Sequence, residues 1–214
     1  MTAHDPSELR ELAVRAARET GVLLRHHAER GLRGLDTKST ATDMVSDADR
    51  EAEELLVRIL SEARPDDAIL GEEGAGREGS SGLRWVVDPL DGTTNFVFGY
   101  PQWAVSVAVE DAEGTLAGAV YDPSRDEMFA AGRGRGTTLN DARVHVRGTH
   151  DLGQALIATG FGYEAERRAL QAEQVAKVIG HIRDIRRGGA AAIDIARSEE
   201  HTSELQSRET ISYA

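Results

Sequence analysis

The stretch WVVDPLDGTTNF, residues 85–96, decides how this sequence is interpreted. Its apolar start, WVV, predicts a buried β-strand that ends on a carboxylate, Asp88. Pro89 restricts the turn that follows, Leu90 can present its backbone carbonyl, and Asp91 supplies a second carboxylate. Hard oxygen donors of this kind are the ligands that Mg²⁺ prefers.

Gly92-Thr93-Thr94 follows the second carboxylate and predicts the start of a helix, where backbone N–H groups can hold a phosphate. A second acidic pair, Glu72 and Glu73, ends another short predicted strand, AIL with its following glycine. Asp-Pro and Asp-Gly are common turn sequences, so one acidic turn alone is weak evidence for a metal site. Two strand ends that both carry acids indicate one shared site for metal and phosphate.

Composition narrows the class of protein. The chain has 214 residues, of which 40% are hydrophobic, enough to bury a core in one large or two small domains. Its net charge of -12 argues against nucleic acid as a partner, because neutralising phosphates requires clustered Lys and Arg. The absence of cysteine excludes disulfides and cysteine nucleophiles and is typical of a cytoplasmic protein. No apolar stretch approaches bilayer length, so we expect no membrane association.

Local patterns predict an α+β arrangement up to about residue 147. Asp5-Pro6-Ser7-Glu8 is a capped helix start, and Ser46 is predicted to begin a second helix. Six β-prone segments separated by Gly, Pro or Asp predict an antiparallel meander: AIL, WVV, WAVSVAVE, TLAGAVYDP, EMFAA and VHV. GRGRG, residues 132–136, is predicted to be a hairpin connection. A second unit is predicted beyond, with a strand in ALIATGF and a helix over about 164–179.

GEEG, WVVDPLDGTTNF and YDPSRDEMFAAGRGRGTTLN together resemble the inositol monophosphatase family of magnesium-dependent, lithium-sensitive phosphatases. The likeness covers roughly residues 6–196. It implies the layered α/β/α/β/α sandwich of the sugar-phosphatase fold. The N-terminal metal- and phosphate-binding domain would span residues 1–147, and an incomplete substrate domain would span residues 148–196. The resemblance also implies a homodimer when the protein is full length.

The same resemblance implies roles for individual residues. Four groups would hold Mg²⁺: Glu72, Asp88, the carbonyl of Leu90, and Asp91. The catalytic set would be Glu72 and Thr93, which activate a water molecule, Asp49, which orients Thr93, and Lys38 beside the metals. Two short stretches would contact the substrate. In the first, which is Asp91, Gly92 and Thr93, the backbone N–H groups of Gly92 and Thr93 would hold the phosphate. The second, which is Gly189, Ala190 and Ala191, would contact the inositol ring.

The implied reaction is hydrolysis of inositol monophosphate to inositol and phosphate by a metal-activated water. The sequence agrees, since it lacks cysteine and the GxxxxGK phosphate loop, and its two aspartates are too far apart for an Asp-x-Asp nucleophile motif. Two alternatives stay open. One is a sister phosphatase acting on histidinol phosphate, fructose bisphosphate or a phosphoadenosine nucleotide. The other is a non-catalytic binding or regulatory protein.

The C-terminal residues 197–214 have a different origin from the rest in our interpretation. RSEEHTSELQS, residues 197–207, is the translation of one frame of a widely used sequencing-library adapter, and ISYA, residues 211–214, matches its continuation. We therefore expect a non-native tail after Ala196. The W-D-x-A-A-G motif of the family, whose aspartate ligates a metal, does not occur in the sequence. We expect this chain to be a truncated, impaired form of the enzyme.

Overall fold

Two long helices begin the fold in a computed structural model that describes residues 5–33, 41–71, 76–146, 148 and 151–197. They are α1 (Pro6–Arg33) and α2 (Ala41–Ala63). The predicted cap of α1 is confirmed, because the Ser7 N–H donates to Asp5 Oδ1 at 2.9 Å. The predicted start of the second helix at Ser46 is wrong. The preceding ATDMV contains no Gly or Pro that would delay the helix, and α2 already includes it.

Seven strands form the main sheet, in the order in which they occur along the chain. They are β1 (Ala68–Gly71), β2 (Arg84–Asp91), β3 (Ala104–Asp111), β4 (Gly114–Asp122), β5 (Glu127–Gly132), β6 (Gly136–Leu139) and β7 (Ala142–Val144). Strands β2 to β7 confirm the predicted antiparallel meander. β1 departs from it, because it pairs parallel to β2. A parallel pair needs a connection that crosses back to the same end of the sheet.

The last hairpin lies earlier than predicted. Of the predicted strand VHV, residues 144–146, only Val144 belongs to a strand, as the last residue of β7. The sequence patterns did not predict β6. Asn140 and Asp141 have positive φ angles of 46° and 66° and form a two-residue turn that pairs Leu139 with Ala142. This turn fixes where β7 begins. The predicted hairpin connection in GRGRG is confirmed between β5 and β6.

The main core lies between this sheet and the two long helices. Alternate residues of the central strands bury their side chains there, among them Trp85, Val87, Val105 and Val107. On the opposite face, a smaller apolar cluster joins Ala104 and Val120 of the sheet to Ala190 and Ile193. The last of these residues belongs to a short helix, α5 (Ala191–Ala196). Helices therefore pack on both faces of the sheet, α1 and α2 on one and the short α5 on the other.

A two-stranded parallel sheet follows in the second part of the chain. It pairs β8 (Leu156–Ala158) with β9 (Asp184–Arg186), and α4 (Ala165–Val178) connects the two strands. The predicted strand and helix are thus confirmed. Helices, a large sheet, a helix and a small sheet agree with the layered sandwich that the family resemblance implies. The domain boundary at residue 147 stays a prediction. No helix in the described part of the chain is long and apolar enough to cross a bilayer.

A buried carboxylate anchors the starts of β1 and β2, at the end of the strands away from Asp88. Asp67 is only 1% exposed and accepts hydrogen bonds from Arg64 Nε and Trp85 Nε1, both at 2.9 Å. Burial by itself would raise the pKa of the Asp67 carboxyl, but the hydrogen bonds from Arg64, Ser81 and Trp85 together hold that pKa below its ordinary value. The charged form of Asp67 therefore stabilises the fold.

We predict that Asp67→Asn lowers the free energy of unfolding at pH 7 by about 2–4 kcal/mol, because an amide N–H₂ would face N–H donors in a buried site. The stabilisation from a lowered pKa is present above the ordinary value of 3.8 and is lost as the pH falls through the native pKa. The difference between variant and parent should therefore shrink in acid. Urea denaturation at pH 7 and pH 3 measures it.

Asp47→Asn is the matched control, since Asp47 is exposed and pairs with Arg50 at 3.0 Å within one helix turn. Such pairs are worth less than about 1 kcal/mol. An equal loss of stability in the two variants would contradict the role assigned to Asp67.

Candidate active site

The predicted acidic site lies where two parallel strands end side by side. Gly71, the last residue of β1, pairs with Val87 of β2. The chain therefore leaves β1 beside the residue that follows Val87, which is Asp88. Because parallel strands place their carboxyl ends at the same edge of a sheet, this register supports the shared site that the two acidic strand ends predict. Glu72 and Glu73 themselves lie outside the described residues.

β2 does not end at Asp88 as the sequence predicts, but continues to Asp91 through an irregular stretch. Asp88 pairs with Ser106 and Asp91 with Ala104, so β2 uses one residue more than β3 over this interval. This is a β-bulge, and Pro89 lies in it because proline cannot donate to the ladder. The Leu90 N–H donates to Asp88 Oδ1 at 3.1 Å. Two half-buried carboxylates and a backbone carbonyl thus share one rigid strand end.

A sharp turn and a short helix follow this strand end. Gly92 has a φ of 90° and precedes α3 (Thr93–Val97), which confirms the predicted helix start. A Cβ at Gly92 would lie 3.0 Å from the carbonyl oxygen of Gln102, so the turn requires glycine in both conformation and space. Thr93 Oγ1 donates to the Leu90 carbonyl oxygen at 3.0 Å. The single hydrogen of this hydroxyl is thereby used, and its oxygen can still accept.

Asp91 joins the two parts of the molecule. Its Oδ1 accepts the N–H of Ala191 at 3.1 Å, and its Oδ2 accepts the N–H of Ala192 at 2.7 Å. These amides belong to the first turn of α5, where N–H groups lack partners within the helix and a negative charge is favoured. The structure therefore brings the predicted substrate segment, Gly189 to Ala191, to a predicted metal ligand. Nothing in the sequence indicated this hydrogen bond.

Sequence reasoning also missed two side chains near the same segment, Asn95 and Gln102. Asn95 Nδ2 donates to the carbonyl oxygens of Gln102, at 2.6 Å, and of Gly188, at 2.9 Å. Gln102 Nε2 donates to Asp194 Oδ1 at 3.2 Å. Asn95 lies within WVVDPLDGTTNF, directly after the predicted helix start, and an amide at this position was the available sequence signal. The structure shows that this amide is buried. No comparable pattern pointed to Gln102, whose side-chain partner, Asp194, is 92 residues away in the sequence.

A cleft of about 380 Å³ opens beside this junction and is lined in part by Tyr100, Gln102, Arg187 and Asp194. Burial raises the pKa of the Asp194 carboxyl above its ordinary value, and the hydrogen bond from the Gly188 N–H and the nearby arginines oppose this only partly. Asp194 is thus a half-buried acid whose charged form is disfavoured by its surroundings.

The oxygen donors present fit a hard divalent cation. Asp88, Asp91 and the carbonyl of Leu90 are three of the four predicted ligands, and oxygen is the donor type that Mg²⁺ requires. The part of the chain that the structure describes contains no group of three or more Asp, Glu, His or Cys side chains close enough to hold a metal. The predicted set would need Glu72, which that part does not include.

The comparison with known proteins adds the family. Residues 5–202 match the sequence profile of the inositol monophosphatase family. The chain belongs to this family. The profile match spans the acidic strand ends, the DGTTN turn and the segment that contacts Asp91, so the whole junction described above lies within family sequence.

Several relatives cover most of this chain. The Nus factor SuhB of Xylella fastidiosa is 42% identical over 192 residues, which cover 86% of this chain and 67% of that protein. The inositol-1-monophosphatase of Mycobacterium bovis is 38% identical over 210 residues, covering 90% and 72%. The solved structure of Mycobacterium tuberculosis SuhB superposes with a TM-score of 0.82 at 34% identity, covering 95% and 79%. The expected fold of the inositol monophosphatase family is therefore confirmed.

The residues that the family resemblance assigns fall into three groups. Glu72 and Lys38 lie outside the described residues, and their roles stay predictions. Asp49 lies on α2 and is half-buried, and its proposed contact with Thr93 also stays a prediction. The others lie at the end of β2, in the turn after it and at the start of α5, and the structure brings these three elements together.

We predict that Asp194→Asn raises the free energy of unfolding at pH 7, because the variant keeps an acceptor for its N–H donors without burying a charge. A raised native pKa means that the parent loses stability as the pH rises above the ordinary value of 3.8. Below that value both side chains are neutral, so the advantage of the variant should vanish. Thermal unfolding from pH 3 to pH 7 measures it, with exposed Glu173→Gln as the control. A variant less stable than the parent at pH 7 would contradict the prediction.

Proposed function

We propose that the protein encoded by this family sequence is a Mg²⁺-dependent phosphomonoesterase that hydrolyses inositol monophosphate. One observation carries the proposal: Asp91, at the proposed metal-binding strand end, is hydrogen-bonded to the segment proposed to contact the inositol ring. A cation held by Asp91 and an inositol ring in contact with segment 189–191 would then be adjacent. Proximity of this kind supplies a large part of catalysis.

The proposed metal ligands are Asp88, Asp91 and the Leu90 carbonyl, with Glu72 from the neighbouring strand end. When bound there, Mg²⁺ would neutralise phosphate oxygens and make water a better nucleophile. The chain must hold these donors in fixed directions. Asp88, Leu90 and Asp91 lie on a bulged, largely buried strand end that pairs with the adjoining strand β3, and this supports the proposal.

Thr93 is proposed to orient the attacking water. Its hydrogen is donated to the Leu90 carbonyl, so its oxygen is available as an acceptor for a hydrogen of that water. The backbone N–H groups of Gly92 and Thr93, at the turn before α3, are proposed to hold the phosphate. These roles agree with the family resemblance and with the chemistry of each group, and they remain proposals.

Inositol monophosphate is favoured as substrate because a 38% identical relative is named inositol-1-monophosphatase. A regulatory role is the second candidate, since relatives of 38% to 42% identity are named Nus factor SuhB. Sequence identity does not separate the two names. The presence of Asp88, Asp91 and Thr93 together favours catalysis, because a purely binding protein has no need of these groups.

We predict that residues 1–196, continued in the reading frame of their own gene, release phosphate from inositol 1-phosphate in a Mg²⁺-dependent reaction. EDTA and lithium salts should inhibit it. A panel with histidinol phosphate, fructose bisphosphate and a phosphoadenosine nucleotide tests the substrate. Turnover that persists in EDTA would overturn the proposed metal dependence. A folded protein that binds Mg²⁺ but hydrolyses none of these substrates would favour the regulatory candidate.

In the same assay, Thr93→Ala should lower kcat by at least ~10²-fold, the usual scale for a group that assists proton transfer, with a smaller effect on Mg²⁺ affinity. Thr94→Ala is the matched control, because Thr94 is the exposed neighbour in the same short helix. A near-normal kcat for Thr93→Ala would leave Thr93 with a structural role alone.

A further inference from the structure

Asn95 is one of few buried polar side chains in the described part of the chain, with 9% of its surface exposed. Its Nδ2 group donates both hydrogens, one to the Gln102 carbonyl at 2.6 Å and one to the Gly188 carbonyl at 2.9 Å. Two acceptors at these distances require a group with two donors, which an amide supplies and a carboxylate does not. The chemistry of position 95 is therefore set by the two carbonyls.

Asn95 and Asp91 hold the two ends of one short segment. Asn95 binds the carbonyl of Gly188, and Asp91 binds the N–H groups of Ala191 and Ala192. The two side chains flank the turn between β2 and α3, so one rigid corner of the first part of the chain makes both attachments. The segment 188–192 is thereby fixed against rotation as well as translation.

The segment has little room to move between these attachments. Gly189 has a φ of 86°, and a Cβ there would lie 2.9 Å from Asn95 Nδ2. Gln102 closes the opposite side: its carbonyl accepts from Asn95, and its own amide donates to Asp194, which follows the segment in α5. Because the contact is this close, we expect a substitution at position 95 to shift the segment.

We propose that Asn95 is a positioning residue, which holds segment 188–192 so that the Asp91 carboxylate keeps one orientation. Each Asp91 oxygen accepts a hydrogen bond from a backbone N–H of this segment, so the position of the segment sets the direction of the carboxylate. The consequence for Mg²⁺ rests on the metal role of Asp91 in the proposed function. Asn95 touches no reacting atom in this proposal and acts only through segment 188–192 and Asp91.

The test uses the 214-residue chain with two measurements that do not depend on turnover. Amide hydrogen exchange at Ala191 and Ala192 reports how firmly the segment is held. Calorimetric titration with Mg²⁺ reports the effect on Asp91. Asn95→Asp should speed exchange at both amides about tenfold or more and weaken Mg²⁺ binding several-fold, because a carboxylate would repel the two carbonyls. Asn95→Ala removes both donors without adding charge and should change both measurements in the same direction.

Asn140→Asp is the matched control for the change in charge. Asn140 Nδ2 donates to the Asp126 carbonyl at 3.0 Å and its Oδ1 accepts the Met128 N–H at 2.9 Å, on a turn that contacts β5, three strands from β2. Exchange at Ala191 and Ala192 and Mg²⁺ affinity should both stay at parent values in this variant.

Unchanged exchange in both Asn95 variants would overturn the proposal. So would faster exchange with unchanged Mg²⁺ affinity, if Asp91→Asn weakens Mg²⁺ binding in the same titration. If Asp91→Asn leaves Mg²⁺ binding unchanged, the metal role in the proposed function fails, and the exchange rates alone decide whether Asn95 holds the segment. The two proposals can therefore fail separately.

Discussion

The Asp91 carboxylate accepts two hydrogen bonds, from the N–H groups of Ala191 and Ala192, and they join the end of β2 to the start of α5. The proposed site depends on this contact. Bonds to a charged acceptor are stronger than those between neutral groups, and here the acceptor also meets the positive end of α5. Each side of the contact has its own support. The strand that carries Asp91 pairs with β3, and Ile193 of α5 is buried against the sheet. One carboxylate thus links the proposed metal end to the proposed substrate segment.

This contact depends on the direction and the shape of the strands beneath it. Because β1 runs parallel to β2, Gly71 at the end of β1 and Asp88 of β2 lie at the same edge of the sheet. The bulge around Pro89 then carries the chain on to Asp91 instead of ending the strand at Asp88. At the other end of the same strands, the buried Asp67 fixes their starts. Strand β2 is therefore fixed at both ends, by the contacts of Asp67 at its start and by those of Asp91 at its end.

Family membership establishes the fold, but the activity has to be inferred from the residues of the site. Relatives of similar identity are named inositol-1-monophosphatase and Nus factor SuhB, and one fold can carry both catalysis and binding. The choice between them depends on groups with specific chemistry: a hydroxyl that donates its hydrogen to a carbonyl, carboxylates on one strand end, and a glycine turn before α3. The fold positions these groups, but their chemistry decides what the protein does.

The sequence by itself determined the long first helix, the meander of strands and the motif that carries Asp88, Asp91 and Thr93, because capping residues, alternation and turn residues act over a few neighbours. It placed the second helix and the last strand wrongly, since no local breaker marked Ala41 and a two-residue turn moved β7. Only the tertiary structure decided that β1 is parallel, and that Asn95 and Asp91 both hold segment 188–192. The contacts that hold segment 188–192 join residues about a hundred positions apart, and their partners are backbone groups that every residue carries, so no sequence pattern records them.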